Sequence, residues 1–281
     1  MNENMKISVV IPVYNREILV KRAIDSVLNQ SRPADEIIIV NDGSTDKTAD
    51  VLKEYGSQIR VIHEENKGVS AARNRGIDEA EGYWIALLDS DDEWFPDKLS
   101  VQETWLVNNP EYRICQIGEI WIRNGKRVNP MDKHQKFHGD IFIPSLRLCL
   151  VSPSAVMFEK SLFLETGGFD ESLTVCEDYD LWLRISMNYP VGLIPVTGIR
   201  KYGGHPDQLS RSEWGMDRYR IKSLEKLLEQ HPHMPVDKRE HVLKELIYKL
   251  EIVYKGSLKR KTDSNTWKNK LEKYNFVLEN L

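Results

Sequence analysis

Short apolar runs alternate with amphipathic segments through the first 95 residues of the chain. Four of these runs are rich in β-branched residues and are bounded by polar positions, which predicts strands: KISVVIPV (6–13), EIIIV (36–40), IRVIH (59–63) and YWIALLD (83–89). The segments between them repeat apolar residues at helical spacing. Repeated strand–helix units predict an α/β fold with a parallel sheet and helices on both faces.

The strict alternation stops at residue 111. YRICQIGEIWIRNGKRV (112–128) predicts a hairpin that turns at Asn124-Gly125. A strand in SAVMFEK (154–160), a helix in DYDLWLRISMN (178–188) and a strand in VGLIPV (191–196) follow from the periodicity. The remainder of the chain, from residue 213 on, is helical in pattern throughout.

The pattern divides the chain into three parts: 1–110, 111–210 and a helical C-terminal region at 211–281. The net charge of the third part differs in sign from that of the first two together. The 281 residues, 41% hydrophobic and 29% charged, are enough to bury a core. Residues 211–281 hold 16 Lys and Arg against 11 Asp and Glu, so they carry +5 and residues 1–210 carry −9 of the total of −4. A basic tail can contact anionic lipid or an acidic partner, but charges interleaved on helix-like segments, as here, are more typical of an ordinary solvated face.

Cysteine use and hydropathy indicate the compartment. No apolar run approaches the roughly 18 to 20 residues that span a bilayer, and Ser8 and Pro12 interrupt the first run, which we interpret as a buried strand rather than a signal peptide. The three cysteines are widely spaced and form no CxxC pair, which argues against a disulfide framework and a zinc knuckle. We expect a cytoplasmic protein, with the inner face of the membrane as the alternative location, and no nucleic-acid partner.

A cluster of aspartates follows the fourth predicted strand. In ALLDSDDEWF, Asp89, Asp91 and Asp92 lie within four residues, and this negative charge is costly unless a cation neutralises it. Carboxylate oxygens favour Mg²⁺ or Mn²⁺, which in proteins often share their coordination with substrate phosphates. The cluster therefore suggests a metal and a nucleotide; a solvated turn before the helix that Pro96 opens is the alternative.

Six segments in register resemble the family-2 glycosyltransferases: IPVYNRE, VNDGSTDKT, NKGVSAARNRG, LLDSDDEW, GGFDE and EDYDLWLR, over residues 5–211. The resemblance implies the GT-A fold, with a mostly parallel central sheet flanked by helices. It also implies transfer of a sugar from a nucleotide-diphosphate sugar, with inversion at the anomeric carbon. Residues 1–110 would then bind the nucleotide sugar and residues 111–210 the acceptor.

The resemblance assigns donor contacts position by position. It implies that the nucleotide sugar is bound by Pro12, Val13, Tyr14, Asp42, Arg73, Asp89, Ser90 and Arg211. Asp42 ends the second strand, where a carboxylate can accept the imide N–H of a pyrimidine, although Asp42-Gly43 also makes a tight turn. Arg200 and Lys201 are further candidates for the diphosphate.

The same resemblance assigns a metal site and a base. Asp91 would hold Mn²⁺ or Mg²⁺, with Asp92 assisting or replacing it and His205 as a further contact to metal or diphosphate. An inverting transfer needs a carboxylate that takes the proton of the acceptor hydroxyl. Asp178 matches this base, with its neighbour Glu177 as the other candidate; the alternative is that the pair only caps the helix that follows.

The expected function is metal-dependent, inverting transfer from a nucleotide-diphosphate sugar, with a UDP-sugar expected, to a saccharide, lipid-linked or other hydroxyl acceptor in surface-polysaccharide assembly. The alternative is a catalytically inactive nucleotide-sugar-binding or scaffolding protein of the same fold. A nucleotidyltransferase and a dinucleotide-dependent dehydrogenase are disfavoured because IPVYNRE lacks the glycines that their phosphate-binding turns require. Nothing in the sequence indicates an oligomeric state.

Overall fold

The computed structural model describes residues 5–129, 131–204 and 215–281. Within these residues one sheet contains nine strands: β1 Ile7–Val13, β2 Glu36–Asp42, β3 Arg60–Glu64, β4 Trp84–Leu87, β5 Glu93–Trp94, β6 Ile114–Arg123, β7 Lys126–Val128, β8 Val156–Glu159 and β9 Gly192–Gly203. Ten α-helices accompany it: α1 Val20–Leu28, α2 Thr48–Lys53, α3 Val69–Glu79, α4 Lys98–Asn108, α5 Phe142–Ser145, α6 Lys160–Glu165, α7 Glu177–Ser186, α8 Asp217–Gln230, α9 Val236–Arg260 and α10 Asn265–Glu279.

The sheet combines a parallel half with a mixed half, in the order β3-β2-β1-β4-β8-β6-β9-β5, and β7 pairs with β6. In the mixed half β6 and β9 pair in parallel, and the other pairings are antiparallel. Strands β1 to β4 pair in parallel, with Val9 opposite both Ile37 and Ala86. Strand β8 runs antiparallel to both β4 and β6. The predicted α/β fold is therefore confirmed, and its parallel pairing is concentrated in the strand–helix repeats from which it was predicted.

The predicted hairpin is also confirmed. Strands β6 and β7 are joined by Asn124 and Gly125, and both residues have positive φ, 50° and 73°, as a tight two-residue turn of this kind requires. By contrast, β9 is twice as long as the apolar pattern in 191–196 suggested. Its second half is polar and follows β6 by backbone pairing, so hydrophobic periodicity gives no signal there.

Side chains of successive residues along the strands enter two different cores because neighbouring residues in a strand point to opposite faces. Val9 packs with α1 and α4 on one face of the sheet, whereas Val10 packs with α3, α6 and α7 on the other. The C-terminal helices α8, α9 and α10 form a third core against α7, in which Leu183 meets Leu224 and Leu246. The predicted helical tail is thus packed onto the sheet domain through α7.

Among the described helices, none is both long enough and apolar enough to cross a bilayer.

Helix α3 lies close to the sheet because Gly76 has no side chain. A Cβ atom at Gly76 would lie 2.4 Å from Cγ1 of Val10 and 3.0 Å from Cγ2 of Val40, both of which are buried. This close approach fixes the position of α3, whose first turn reaches the carboxyl ends of the parallel strands.

We predict that Gly76→Ala lowers the free energy of unfolding by about 1 to 3 kcal/mol, the usual effect of overpacking a core. Gly256→Ala is the matched control, because the three atoms nearest to a Cβ at this helical glycine belong to the end of the long Arg260 side chain and not to the core. There the better helix propensity of alanine should leave stability unchanged or raise it by up to about 1 kcal/mol. Denaturant unfolding of both variants measures the difference, and equal effects would contradict this account of helix α3.

Candidate functional site

A cavity of about 650 Å³ opens at the carboxyl ends of the parallel strands. Its walls contain all but one of the described residues that the sequence predicted for the site, the exception being Arg200: Pro12, Val13, Tyr14, Asp42, Arg73, Asp89, Ser90, Asp91, Asp92, Glu177, Asp178 and Lys201. His205 and Arg211 lie outside the described residues. The sequence thus predicted that these residues lie together. The role of each one depends on its own contacts with the rest of the protein.

Arg73 is the buried centre of the cavity wall. Its guanidinium donates to Oδ1 of Asp89 and to Oε1 of Glu177, at 2.7 Å in each case. Burial disfavours the cation, but the two carboxylates outweigh that effect and hold the pKa of Arg73 above its usual value. One side chain of α3 therefore joins the end of β4 to the start of α7, so Arg73 acts in the structure as a clamp between carboxylates.

Asp42 also has partners in the protein. Its two carboxylate oxygens accept hydrogen bonds from the backbone N–H groups of Lys67, at 2.8 Å, and Gly68, at 2.9 Å. Gly68 has a φ of 95°, which favours glycine, and it leads directly into α3. Asp42 therefore shapes the loop that walls the cavity, and base recognition by its remaining lone pairs stays a prediction.

The three clustered aspartates have three different surroundings. Asp92 is buried: its Oδ2 accepts from Oγ of Ser154 at 2.6 Å, and its Oδ1 accepts from the backbone N–H of Tyr202 at 2.9 Å. Burial raises the pKa of Asp92 well above its usual value, more than nearby Lys201 lowers it. Because each oxygen already accepts a hydrogen bond from the protein, Asp92 supports this loop, and its role as a metal ligand stays a prediction that these contacts disfavour.

Asp91 keeps its carboxylate available. That carboxylate forms no hydrogen bond or ion pair with another described residue, and it lies in the wall of the cavity. Burial raises the pKa of Asp91, and the neighbouring charge of Asp89 raises it further. A carboxylate whose ionisation is disfavoured in this way is stabilised by a cation that binds beside it.

The residues of the aspartate loop fit a metal ion that is coordinated partly by the protein and partly by substrate and water. The described residues contain no cluster of three or more His, Cys, Asp or Glu side chains that could hold an ion. With Asp89 bound to Arg73 and Asp92 bonded internally, Asp91 is the carboxylate left for an ion. Mg²⁺ is commonly bound by one or two carboxylates together with substrate phosphates and water, and this arrangement matches that pattern.

Glu177 and Asp178 begin helix α7 but face different surroundings. Glu177 is buried against Arg73, and its burial, followed by the charge of Asp178, raises the pKa of Glu177 to about 6. Asp178 accepts the backbone N–H of Tyr179 through Oδ1, at 2.7 Å. Cys176, just before the pair, has a φ of 63°, a conformation that non-glycine residues rarely adopt and that sets the direction in which α7 begins.

A second cavity of about 350 Å³ lies beside the first. Asp178, Lys201 and Tyr202 line both cavities. Lys201 donates to Oγ of Ser152 at 2.9 Å, and although burial disfavours its cation, carboxylates led by Glu119 and Asp92 hold its pKa above the usual value. Asp178 therefore stands at the boundary between two cavities, beside the half-buried Lys201.

Sequence reasoning identified Lys201 only as one of several candidates and missed Ser154 and Tyr202. Ser154 supports the aspartate loop twice, because its Oγ also accepts the N–H of Asp89 at 3.1 Å. Tyr202 reaches that loop across 110 residues of sequence, and no local motif marks such a contact. The other candidate, Arg200, lies outside both cavities and pairs with Glu93 at 2.6 Å.

Comparison with known proteins gives a consistent result. Residues 8–164, more than half of the chain, match the profile of glycosyl transferase family 2. An uncharacterized glycosyltransferase of Rickettsia typhi is 35% identical over 191 residues, covering 65% of this chain and 60% of that protein. TuaG of Bacillus subtilis, whose name refers to teichuronic acid biosynthesis, is 45% identical over 105 residues, covering 36% of this chain and 42% of TuaG.

Some relatives are much longer than this chain. It covers only 27% of the length of a Rickettsia bellii glycosyltransferase that is 34% identical over 189 residues. Among solved structures, S. aureus TarS 1–349 in complex with UDP-GlcNAc superposes with a TM-score of 0.69 at 19% identity, covering 87% of this chain and 71% of that one. At this identity the likeness shows the fold, and it confirms the expected GT-A fold.

We predict that Arg73→Met lowers the free energy of unfolding by about 3 to 5 kcal/mol, because the change leaves the buried Glu177 and the partly buried Asp89 without their cation. Arg75→Met, two residues along the same helix, is the matched control: Arg75 is half exposed, and its pairs with Glu64 and Glu79 lie at the surface. The control should lose no more than about 1 kcal/mol. Denaturant unfolding of both variants at pH 8 gives the comparison.

The same pair of variants tests the electrostatic origin of the loss. Without Arg73, which lowers the pKa of Glu177, that pKa must rise further above its unfolded value. A carboxyl group with a raised pKa supports folding at low pH and loses that support as pH rises through the folded pKa. The deficit of Arg73→Met should therefore be smaller at pH 5 than at pH 8, and a deficit independent of pH would contradict this origin.

Proposed function

The chain belongs to glycosyltransferase family 2, and from that premise we propose that it transfers a sugar from a UDP-sugar to an acceptor hydroxyl, with inversion at the anomeric carbon. The observation that carries the proposal is the position of Asp178 in the shared wall of two cavities. A donor in the first cavity and an acceptor in the second would meet at this carboxylate. The reaction needs a base at that meeting point.

The first cavity is proposed as the donor site. It contains the end of β1 at Pro12 and Val13, Asp42 of β2, and the aspartate loop. Its volume is within the range of about 300 to 1,000 Å³ that is usual for small-molecule sites. The complexes of TarS with UDP-GlcNAc and with UDP support a uridine nucleotide, since that protein shares this fold.

A divalent cation, Mn²⁺ or Mg²⁺, is proposed as part of donor binding. The wall of the first cavity holds six carboxylates against three cations, so a diphosphate enters a site of unfavourable charge. Asp91 would hold the ion; when bound, it would neutralise the diphosphate and make it a better leaving group. The roles of Pro12, Val13, Tyr14 and Ser90 remain proposals about the same donor.

Asp178 is proposed as the base and Glu177 as a positioning residue. Glu177 is held by Arg73 and is buried, whereas Asp178 faces both cavities. In the proposed step the acceptor oxygen bonds to the anomeric carbon and its proton passes to Asp178. The bond from that carbon to the diphosphate breaks, and the nucleoside diphosphate leaves with the electron pair, so the configuration inverts.

The wider role is proposed to be surface-polysaccharide assembly. The support is the similarity to TuaG and to EpsH, a Bacillus subtilis glycosyltransferase that is 44% identical over 130 residues. TuaG is named for teichuronic acid biosynthesis, so a saccharide is the acceptor class that this similarity favours.

We predict that Asp178→Asn loses turnover by roughly 10² to 10⁴-fold while its affinity for UDP stays within about twofold of wild type. Asparagine keeps the oxygen that accepts the N–H of Tyr179, so α7 should still form. Turnover is measured as UDP released from UDP-GlcNAc, with water or added polysaccharide as acceptor. Near-normal release would place the base elsewhere, and UDP binding by a wild type that shows no turnover would favour the non-catalytic alternative.

Asp91 and Asp92 provide a matched pair that tests the metal proposal. We predict that Asp91→Ala unfolds at the same temperature as the free wild type or higher, because the charge of Asp91 is disfavoured in the fold. The variant should lose about tenfold or more of the UDP affinity that depends on Mn²⁺, the effect expected when a charged contact to the metal is removed.

The neighbouring change should behave in the opposite way. Asp92→Ala leaves the N–H of Tyr202 and the hydroxyl of Ser154 without their acceptor, which costs about 1 to 3 kcal/mol of stability. At a temperature where Asp92→Ala is folded, its UDP affinity should still respond to Mn²⁺. Loss of the metal response in Asp92→Ala and its retention in Asp91→Ala would reverse our assignment.

A further inference from the structure

We propose that the second cavity binds the acceptor through an anionic group, a phosphate or a carboxylate, that lies near the hydroxyl receiving the sugar. This inference rests on the proposed transfer reaction and extends it to the class of acceptor. Three observations support it: the shared wall of the two cavities, the contrast in their charge, and arginine donors that have no hydrogen-bond or ion-pair partner among the described residues.

The shared wall defines the direction from which the acceptor enters. Asp178, Lys201 and Tyr202 border both cavities, and the rest of the second cavity is built from β6, the end of β9, the segment at 148–152 and Arg220 of α8. A molecule in this cavity can present a hydroxyl to Asp178 without entering the donor site. The second cavity is therefore the proposed acceptor site.

The two cavities differ in the sign of their charge. The first is lined by Asp42, Asp89, Asp91, Asp92, Glu177 and Asp178 against Arg16, Arg73 and Lys201, a formal net charge of −3. The second is lined by Arg123, Lys136, Lys201 and Arg220 against Glu119 and Asp178, a formal net charge of +2 with histidine neutral. An anionic acceptor is attracted to the second cavity, and a cationic one is repelled.

Some of these cations already have partners in the protein, so fewer of them can bind a ligand. Lys136 lies 3.0 Å from Glu119, and Lys201 donates to Ser152. Arg123 forms no ion pair with any carboxylate in the described part of the chain, although its guanidinium lies 5.8 Å from the ring of Trp121. Arg123 is consequently the cation most available to a ligand at the mouth of the cavity.

Arg220 contributes a second cation to the wall of this cavity. Its Nη1 donates to Asp217 at 2.9 Å, but its buried Nε has no hydrogen-bond partner among the described atoms. A buried donor without a partner is costly, and an acceptor oxygen in the cavity would relieve that cost. Planar guanidinium groups bind carboxylate and phosphate through paired hydrogen bonds, which favours these two anions as ligands.

The cavity also offers a surface for a saccharide ring. The rings of Trp121 and His134 lie with their centroids 5.0 Å apart, and both residues line the cavity. An aromatic face beside polar donors suits a sugar or polyol, which has apolar C–H faces and polar edges. The proposed acceptor is thus a saccharide or polyol that carries a phosphate or a carboxylate.

Three sugars that share the same type of ring and differ in charge test this inference: glucose 6-phosphate, glucuronate and glucose. The full chain is first saturated with UDP and Mn²⁺, so that the probes cannot occupy the donor cavity, and each probe is titrated by calorimetry. We expect at least one of the two anionic sugars to bind about tenfold or more tightly than glucose, the contribution of one charge-assisted hydrogen bond. Which anion binds identifies the group, and equal affinity of all three sugars would overturn the inference.

Variants of the hairpin locate the binding site. Arg123→Gln should reduce the affinity for the preferred anionic sugar to nearly that of glucose while leaving UDP affinity unchanged. Arg127→Gln is the matched control, since Arg127 is exposed on the neighbouring strand β7 and lines neither cavity. Equal losses in the two variants would contradict a specific role for Arg123.

The design separates the two levels of the proposal. If UDP does not bind to the wild-type protein, the proposed transfer reaction fails before any sugar is tested. If UDP binds and no anionic sugar is preferred over glucose, only the charge of the acceptor has been inferred wrongly.

Discussion

An ion triad centred on the buried guanidinium of Arg73 is the constraint on which the site depends. Arg73 lies on α3, and its partners Asp89 and Glu177 lie at the end of β4 and the start of α7. Glu177 is 104 residues away in sequence, so this contact joins the parallel half of the sheet to the later half of the chain. The cost of burying these charges is offset only while all three remain together. The triad therefore couples folding to the geometry of the cavity, because Asp178, the proposed base, is the next residue along α7 after Glu177.

Three aspartates of one short motif have different functions because their neighbours differ. Asp89 is bound by Arg73, Asp92 is held by Ser154 and Tyr202, and Asp91 is left facing the cavity. The first two contacts stabilise the loop, and the third residue carries the electrostatic cost that a cation would remove. A charge that lowers the stability of the free protein and would be neutralised when a ligand binds is a common way in which stability is given up for function.

The sequence was informative where structure depends on local pattern. Periodicity and turn chemistry predicted the parallel strands, the hairpin at Asn124-Gly125 and the helical C-terminal region. The family resemblance selected site residues most of which line one cavity. The second half of β9 escaped prediction because it is polar, and Tyr202, which lies there, contacts the aspartate loop from 110 residues away. The different surroundings of Asp91 and Asp92 escaped prediction because composition cannot show which of two adjacent carboxylates is buried, and the metal role of Asp92 stays a prediction.

The most direct test of the account is the thermal stability of the protein with UDP, dTDP, GDP and CDP, each in the presence of Mn²⁺ and of EDTA. A ligand that binds only the folded state must raise the unfolding temperature. The account predicts a clear rise with UDP and Mn²⁺ that is reduced or lost in EDTA. No rise with any nucleotide under either condition would contradict the donor site, and with it the central claim that this cavity binds a nucleotide sugar.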